Sequence, residues 1–220
     1  IGKNTAPAIA LAALKAIDKN NDPTLLVLSS DHKIDDEENF RKVITNGLLK
    51  SNLERLVTFG IIPNSPETGY GYIRSFEELS EENPSSTIEE FVEKPNLELA
   101  KKFVKDKHYV WNSGIFLFKA SVFLQELEKF EPDILKICTK ALKNGLKDLD
   151  FLRINKEIFE TCPSKSIDVA VMEKTTIGSV LTLKAGWDDI GSWKSVWKNS
   201  KRDKDGNSIK EKYTSTAGRF

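Results

Sequence analysis

The chain has 220 residues, 39% of them hydrophobic, with 33 Lys and Arg set against 33 Asp and Glu. That length builds one sizeable globular domain, with room for a small appendage. The zero formal charge excludes a strongly basic nucleic-acid or membrane-surface binder, while an anionic small molecule held by a few local lysines stays allowed.

Residues 5–19 read as a helix with Thr5 near its N-cap and Pro7 tolerated in the first turn. Lys3 followed by the apolar run 8–14 mimics a short signal peptide. The helical period of Ile9, Ala10, Ala13, Leu14 and Ile17 fits a packed amphipathic helix better. Residues 24–29 (TLLVLS) form a continuous apolar run, the pattern of a strand buried on both faces. Residues 36–50 return to helical character, and 55–63 (RLVTFGIIP) are again strand-like. This alternation predicts a doubly wound, parallel α/β core.

Short strands are expected at 70–76, 88–93 and 113–119, with a helix over 97–106 just after Pro95. Residues 121–161, rich in Leu, Lys and Glu, predict two or three helices; 176–183 predict a last strand, followed by the segment 186–197. The domain is drawn over 1–200, with 201–220 a polar tail or the start of a further region. No run is long enough to span a membrane. Cys138 and Cys162 lack zinc-site neighbours and read as reduced thiols in helical segments, pointing to a cytoplasmic address. Trp193 and Trp197 fit either a core or an interface, so a homo-oligomer is allowed.

In open α/β sheets ligands bind beyond the carboxyl ends of the strands, which singles out Ser29-Ser30-Asp31-His32. Asp31 there suits a divalent metal or a hydroxyl, and equally a helix or turn cap; His32 reads by default as a structural histidine. Gly69 and Gly71, among Tyr70 and Tyr72, allow a backbone to approach a ligand or mark an ordinary turn. Glu93-Lys94-Pro95 ends a strand with an acid and a base: a sugar-and-phosphate grip, or a solvated pair. Asn112 before a strand reads as turn chemistry. Trp187-Asp188-Asp189-Ile190-Gly191-Ser192-Trp193 fits a metal ligand plus a cap, or two caps.

Singly these are weak, but their order is informative. Gly2-Lys3-Asn4-Thr5-Ala6-Pro7-Ala8, Ser30-Asp31-His32, 66–72 (PETGYGY), 91–95 (FVEKP), Trp111-Asn112-Ser113-Gly114, Ser166-Ile167-Asp168 and 187–193 together resemble the bacterial mannose-1-phosphate guanylyltransferases, over residues 1 to about 200. The resemblance implies a Rossmann-like, glycosyltransferase-A-like nucleotidyltransferase fold: a mixed, mostly parallel sheet flanked by helices. It implies transfer of GMP from GTP to mannose 1-phosphate, giving GDP-mannose and pyrophosphate, with Mg²⁺ as the cofactor. Gly2, Asn4 and Thr5 would touch the guanine or ribose; Asp31 and Asp189 would share one Mg²⁺. Gly69 and Tyr70 would meet the sugar, Glu93 and Asn112 its hydroxyls, Lys94 its phosphate, with Asp168 at the sugar end. Another hexose 1-phosphate, or a non-catalytic sugar-nucleotide-binding homologue, are the alternatives. The family's glycine-rich phosphate loop occurs nowhere in the chain. The resemblance therefore leads to the expectation of a domain lacking its first βαβ unit and inactive alone. Many relatives also carry an isomerase domain after this one.

Overall fold

The computed structural model describes residues 1–17, 21–80, 82–191, 196, 197 and 200. The drawn tail 201–220 lies outside them, as does Trp193. In chain order the elements are α1 (Thr5–Ala16), β1 (Thr24–Val27), α2 (Glu37–Ser51), β2 (Leu56–Ile61), β3 (Tyr72–Ser75) and β4 (Ser85–Val92). There follow α3 (Leu97–Phe103), β5 (Tyr109–Lys119), α4 (Ala120–Phe130), α5 (Pro132–Lys143), β6 (Leu146–Asp148), β7 (Phe151–Arg153), α6 (Lys156–Glu160), a π-helical turn (Asp168–Met172) and β8 (Gly178–Thr182).

The fold is the mixed α/β arrangement expected, but the expectation of a mostly parallel sheet is corrected. The six-stranded sheet has the order β1-β5-β2-β8-β4-β3, and among the described residues only β2–β8 pair in parallel. β5 is the reason. This long strand inserts antiparallel between β1 and β2, so two strands that point the same way never touch. β5 also reaches β3 through Tyr72↔Trp111 and Ile73↔Val110, so the ladder β5-β2-β8-β4-β3 closes on itself. Local patterning carries no record of such long-range pairing.

Alternation along the strands builds a core on each face of the sheet. Phe116 and Phe118 of β5, Leu56 of β2 and Val180 of β8 join one cluster with Ala6, Ala10, Phe123, Leu127 and Ile134 of α1, α4 and α5. Ile115, Leu117, Val57, Phe59 and Leu181 face the other way, against Phe40, Val43 and Ile44 of α2. β2, β5 and β8 are thus the strands buried on both faces. β1 is not, which corrects a second expectation: it stands at an edge of the described sheet, with Leu26 39% and Leu28 52% exposed. Its apolar run covers one face only.

Helix ends follow capping chemistry. Asn4, rather than Thr5, caps α1, and Asp36 caps α2 by accepting from the Asn39 amide at 2.9 Å. Asn96 opens α3 by accepting from the Leu99 amide at 2.9 Å, directly after the Glu93-Lys94-Pro95 turn. Replacing Asn96 by Ala is expected to cost about 1 kcal/mol, read as a lower midpoint in chemical denaturation. The region 121–161 gives three helices plus an unforeseen hairpin, β6–β7. Cys138 and Cys162 are free and buried; Cys162 follows α6 rather than lying within it, and burial, helped by its neighbour Cys162, pushes the Cys138 thiol up to about 12. No helix among the described residues is long and apolar enough to cross a membrane.

Candidate functional site

β1, β2 and β8 run in the same direction, and the segments leaving their carboxyl ends converge. A cavity of about 430 Å³ opens there, bounded by the start of α1, the β1–α2 connection, Gly69–Gly71, the end of β4, the middle of β5 and the segment after β8. Thr5, Gly69, Tyr70, Glu93, Lys94, Asn112, Asp168 and Asp189 all line it. Of the other residues singled out in the sequence, Gly2 is exposed with open space around it, and Asn4 is spent on the helix cap. Asp31 is exposed on the turn after β1, beside His32.

The first wall is a backbone clasp. Lys33 and Asp188 form an isolated antiparallel bridge, with the Lys33 amide donating to the Asp188 carbonyl at 2.8 Å and the Asp188 amide returning 3.1 Å to Lys33. The segments that carry Asp31 and Asp189, 158 positions apart in sequence, are thereby brought side by side. Burial lowers the His32 pKa, while both Asp31 and Asp189 pull it back up, so both carboxylates lie within electrostatic reach of one imidazole. The Tyr70 hydroxyl donates to Asp189 Oδ1 at 3.1 Å, and the Gly191 amide donates to the same oxygen at 3.1 Å. Burial, with the Asp189 charge behind it, pushes the Tyr70 phenol up, so this donor stays protonated. Tyr70 stands edge-on to both Trp111 and Trp187, with ring centroids 5.2 and 5.5 Å away.

The second wall is built on an irregularity in β5. Thr58 of β2 pairs with Phe116, but Gly60 pairs with Asn112, so extra residues bulge out of β5, and Gly114 there holds φ of +69°. Bulges re-aim side chains next to sites. Here the bulge turns Asn112 into the cavity, which corrects its reading as a turn residue before a strand. Its Oδ1 accepts from the Gly114 amide at 3.1 Å and lies 3.1 Å from the Thr58 hydroxyl. That fixes the amide's orientation, and Nδ2 donates to Asp168 Oδ1 at 2.9 Å, leaving one N–H over. Burial, then the Glu93 charge, raise the Asp168 carboxyl to about 6. The Thr5 hydroxyl accepts from the Ile167 amide at 2.8 Å, tying α1 to the start of the π-helical turn that carries Asp168.

Glu93 and Lys94 both turn into the cavity at the frayed end of β4, with their charges 3.3 Å apart. Lys94 holds φ of 48° and Ile190 also 48°, left-handed values that cost non-glycine residues about 1–3 kcal/mol each. Both strained residues adjoin a cavity carboxylate. A Cβ at Gly71 would sit 2.6 Å from Glu93 Oε2 and 3.3 Å from Asn112 Cβ, so any side chain there would displace the Glu93 carboxylate. Sequence reasoning left Thr58 and the role of Trp187 unread. A lone threonine inside an apolar strand, or a tryptophan beside acids, signals nothing until the partner strand is known.

The fold and the cavity define a mixed α/β domain with a polar, carboxylate-rich cleft at the carboxyl ends of its like-directed strands. The chain belongs to the nucleotidyl transferase family, whose model matches residues 1–206. It is 51% identical over 214 residues to the mannose-1-phosphate guanylyltransferase of Salmonella montevideo, covering 96% of this chain and 45% of that protein. It thus spans a little under half the length of that relative. Among solved structures, one titled mannose-6-phosphate isomerase, from Helicobacter pylori, superposes with a TM-score of 0.77 at 35% identity, covering 86% of this chain and 72% of that one. Another, titled mannose-1-phosphate geranyltransferase, from Thermus thermophilus, gives 0.78 at 30% identity, covering 90% and 55%.

Proposed function

We propose that this chain provides the sugar-phosphate side of a site that transfers GMP from GTP to mannose 1-phosphate, releasing pyrophosphate and GDP-mannose. The observation that carries the reading is the meeting, in one cavity, of the Glu93–Lys94 pair, the oriented Asn112–Asp168 pair and Asp189. The similarity to a guanylyltransferase that acts on mannose 1-phosphate supports the choice of sugar and base.

The attacking group in this reaction is a phosphate oxygen, already anionic, so no protein base or nucleophile is needed; positioning and charge neutralisation do the work. Glu93 accepts from sugar hydroxyls, and the spare N–H of Asn112 donates to one. Lys94 takes the sugar phosphate as a point charge. Thr5 lines the cavity, and with Gly2 and Asn4 just before it in the chain it would meet guanine and ribose. Asp31 and Asp189 are hard oxygen donors clasped to one end of the cavity. Among the described residues no three His, Cys, Asp or Glu gather into a metal cluster. A two-carboxylate set completed by phosphate oxygens and water suits Mg²⁺. When bound, that ion would supply charge neutralisation at the reacting phosphates.

Because the chain spans a little under half the length of that relative, the test is product analysis on the full-length protein with Mg²⁺, a panel of nucleoside triphosphates and a panel of hexose 1-phosphates. GDP-mannose is the expected product, lost on chelation of the metal; a preference for a different sugar or base overturns the assignment. Gly71→Ala should lower kcat/KM for mannose 1-phosphate by about 10- to 100-fold by displacing Glu93, since a misplacement near 1 Å costs that much. Its thermal midpoint should barely move, because the far end of a flexible side chain is what must give way.

A further inference from the structure

One cavity side chain has a geometry that the roles above leave unused. His32 lines the cavity, and its Nδ1 lies 3.2 Å from Trp187 Nε1, with the two rings edge-on at 5.3 Å between centroids. An indole N–H can only donate. The His32 Nδ1 must therefore be a bare acceptor, the ring is neutral, and its one proton sits on Nε2. Among the described residues that Nε2–H has no hydrogen-bond partner. The ring edge between the two nitrogens lies over Gly114: Cε1 is 3.6 Å from where a Cβ on Gly114 would be. Gly114 is itself part of the cavity lining and belongs to the β5 bulge that aims Asn112.

An N–H donor with a fixed tautomer and no protein acceptor, on a ring that lines the cavity, is available to a ligand acceptor there. We propose that His32, locked by Trp187, is a positioning residue whose Nε2–H donates to a non-bridging phosphate oxygen of the ligand at the Asp31–Asp189 end. This rests on the guanylyltransferase reading. A neutral donor suits the place. It orients a phosphate between two carboxylates without drawing either of them into an ion pair, which an ammonium or guanidinium there would do. Trp187 thus acts through His32, while its ring also braces Tyr70.

The experiment uses the purified full-length protein in two independent readouts. Long-range ¹H–¹⁵N spectra of the imidazoles should show His32 as the Nε2–H tautomer in the wild type. The Nε2 signal should move on addition of GDP-mannose, and Trp187→Phe, which keeps a ring and removes the N–H, should give a mixture of tautomers. In steady-state assays His32→Ala should lower kcat by about 10- to 100-fold, the range for losing one preorganised donor. His32→Gln should recover most of that loss, because its carbonyl oxygen can accept from Trp187 while its amide still donates. A merely structural histidine would not show that rescue at equal thermal stability. An Nδ1–H tautomer in the wild type, or a His32→Ala enzyme with wild-type kcat, overturns the proposal. Should the wild type make no GDP-mannose at all, the functional reading fails instead, and the tautomer with its dependence on Trp187 is still read from the spectra.

Discussion

Asp189→Asn is expected to cut the rate of GDP-mannose formation by about 10²- to 10³-fold while leaving the fold intact. Asparagine keeps the oxygen that accepts from Tyr70 at 3.1 Å and from the Gly191 amide at 3.1 Å, so the local hydrogen bonds survive. What it removes is one of the two negative charges at that end of the cavity. The loss should be accompanied by a higher Mg²⁺ concentration for half-maximal rate, since a magnesium site built on two carboxylates weakens sharply when one becomes neutral. Asp31→Asn should behave alike. Tyr70→Phe keeps both carboxylates and loses one hydrogen bond, so its effect should be nearer tenfold. A steady-state series over Mg²⁺ concentration separates these outcomes; an Asp189→Asn enzyme within a few-fold of wild type at every concentration would falsify the assigned role.

Some of this arrangement is legible without any coordinates. α2 announces itself through Asp36 as cap and acids in its first turn, and β2 through a largely apolar run that really is covered on both faces. Motif order picks out the cavity residues Glu93, Lys94, Asn112, Asp168 and Asp189, and they do converge. What fails depends on contacts distant in sequence. β1 carries the same apolar signature as β2, but its outer face has no partner among the described residues. β5 begins at Tyr109, four residues before its expected start at 113, because buried polar Asn112 and Ser113 break the apolar pattern from within. The partners of Asn112, Thr58 and Asp168, lie 54 and 56 positions from it, beyond any local rule. The hairpin β6–β7 hides in a Leu-rich stretch whose spacing also suits a helix, and the π-helical turn at Asp168 has no local signature at all. His32, by default a structural residue, changes meaning only once Trp187 is seen donating to it.

Asp168 links the site to stability, with a sign that can be worked out. Its carboxyl rises from 3.8 to about 6, first through burial and then through the charge of Glu93. Between those values the folded protein holds a proton that the unfolded chain releases, so stability must fall as pH rises. The contribution is complete below the unfolded value and gone once the pH has passed the folded one. From 3.8 to about 6 the difference amounts to about 3 kcal/mol. Other carboxylates pull the opposite way. Burial pushes Glu131 up, but the ammonium groups of Lys165 and Lys174, both 2.7 Å away, outweigh it and hold it below its ordinary range. Raw stability curves therefore mix slopes of both signs, and the informative quantity is wild type minus Asp168→Asn. That difference should descend from about pH 4 to pH 6 and then level off, leaving the variant more stable at neutral pH, by up to about 3 kcal/mol. Denaturant unfolding at a series of pH values measures it, and a difference that stays flat across that window removes the raised carboxyl from the account. Activity should move the other way. At neutral pH the wild-type Asp168 is an anion beside Glu93, and it accepts from Asn112 Nδ2 at 2.9 Å. An amide at position 168 relieves the crowding with Glu93 but brings an NH₂ group to where Asn112 Nδ2 needs an acceptor, which should loosen that side chain. A more stable, less active Asp168→Asn protein is the expected result.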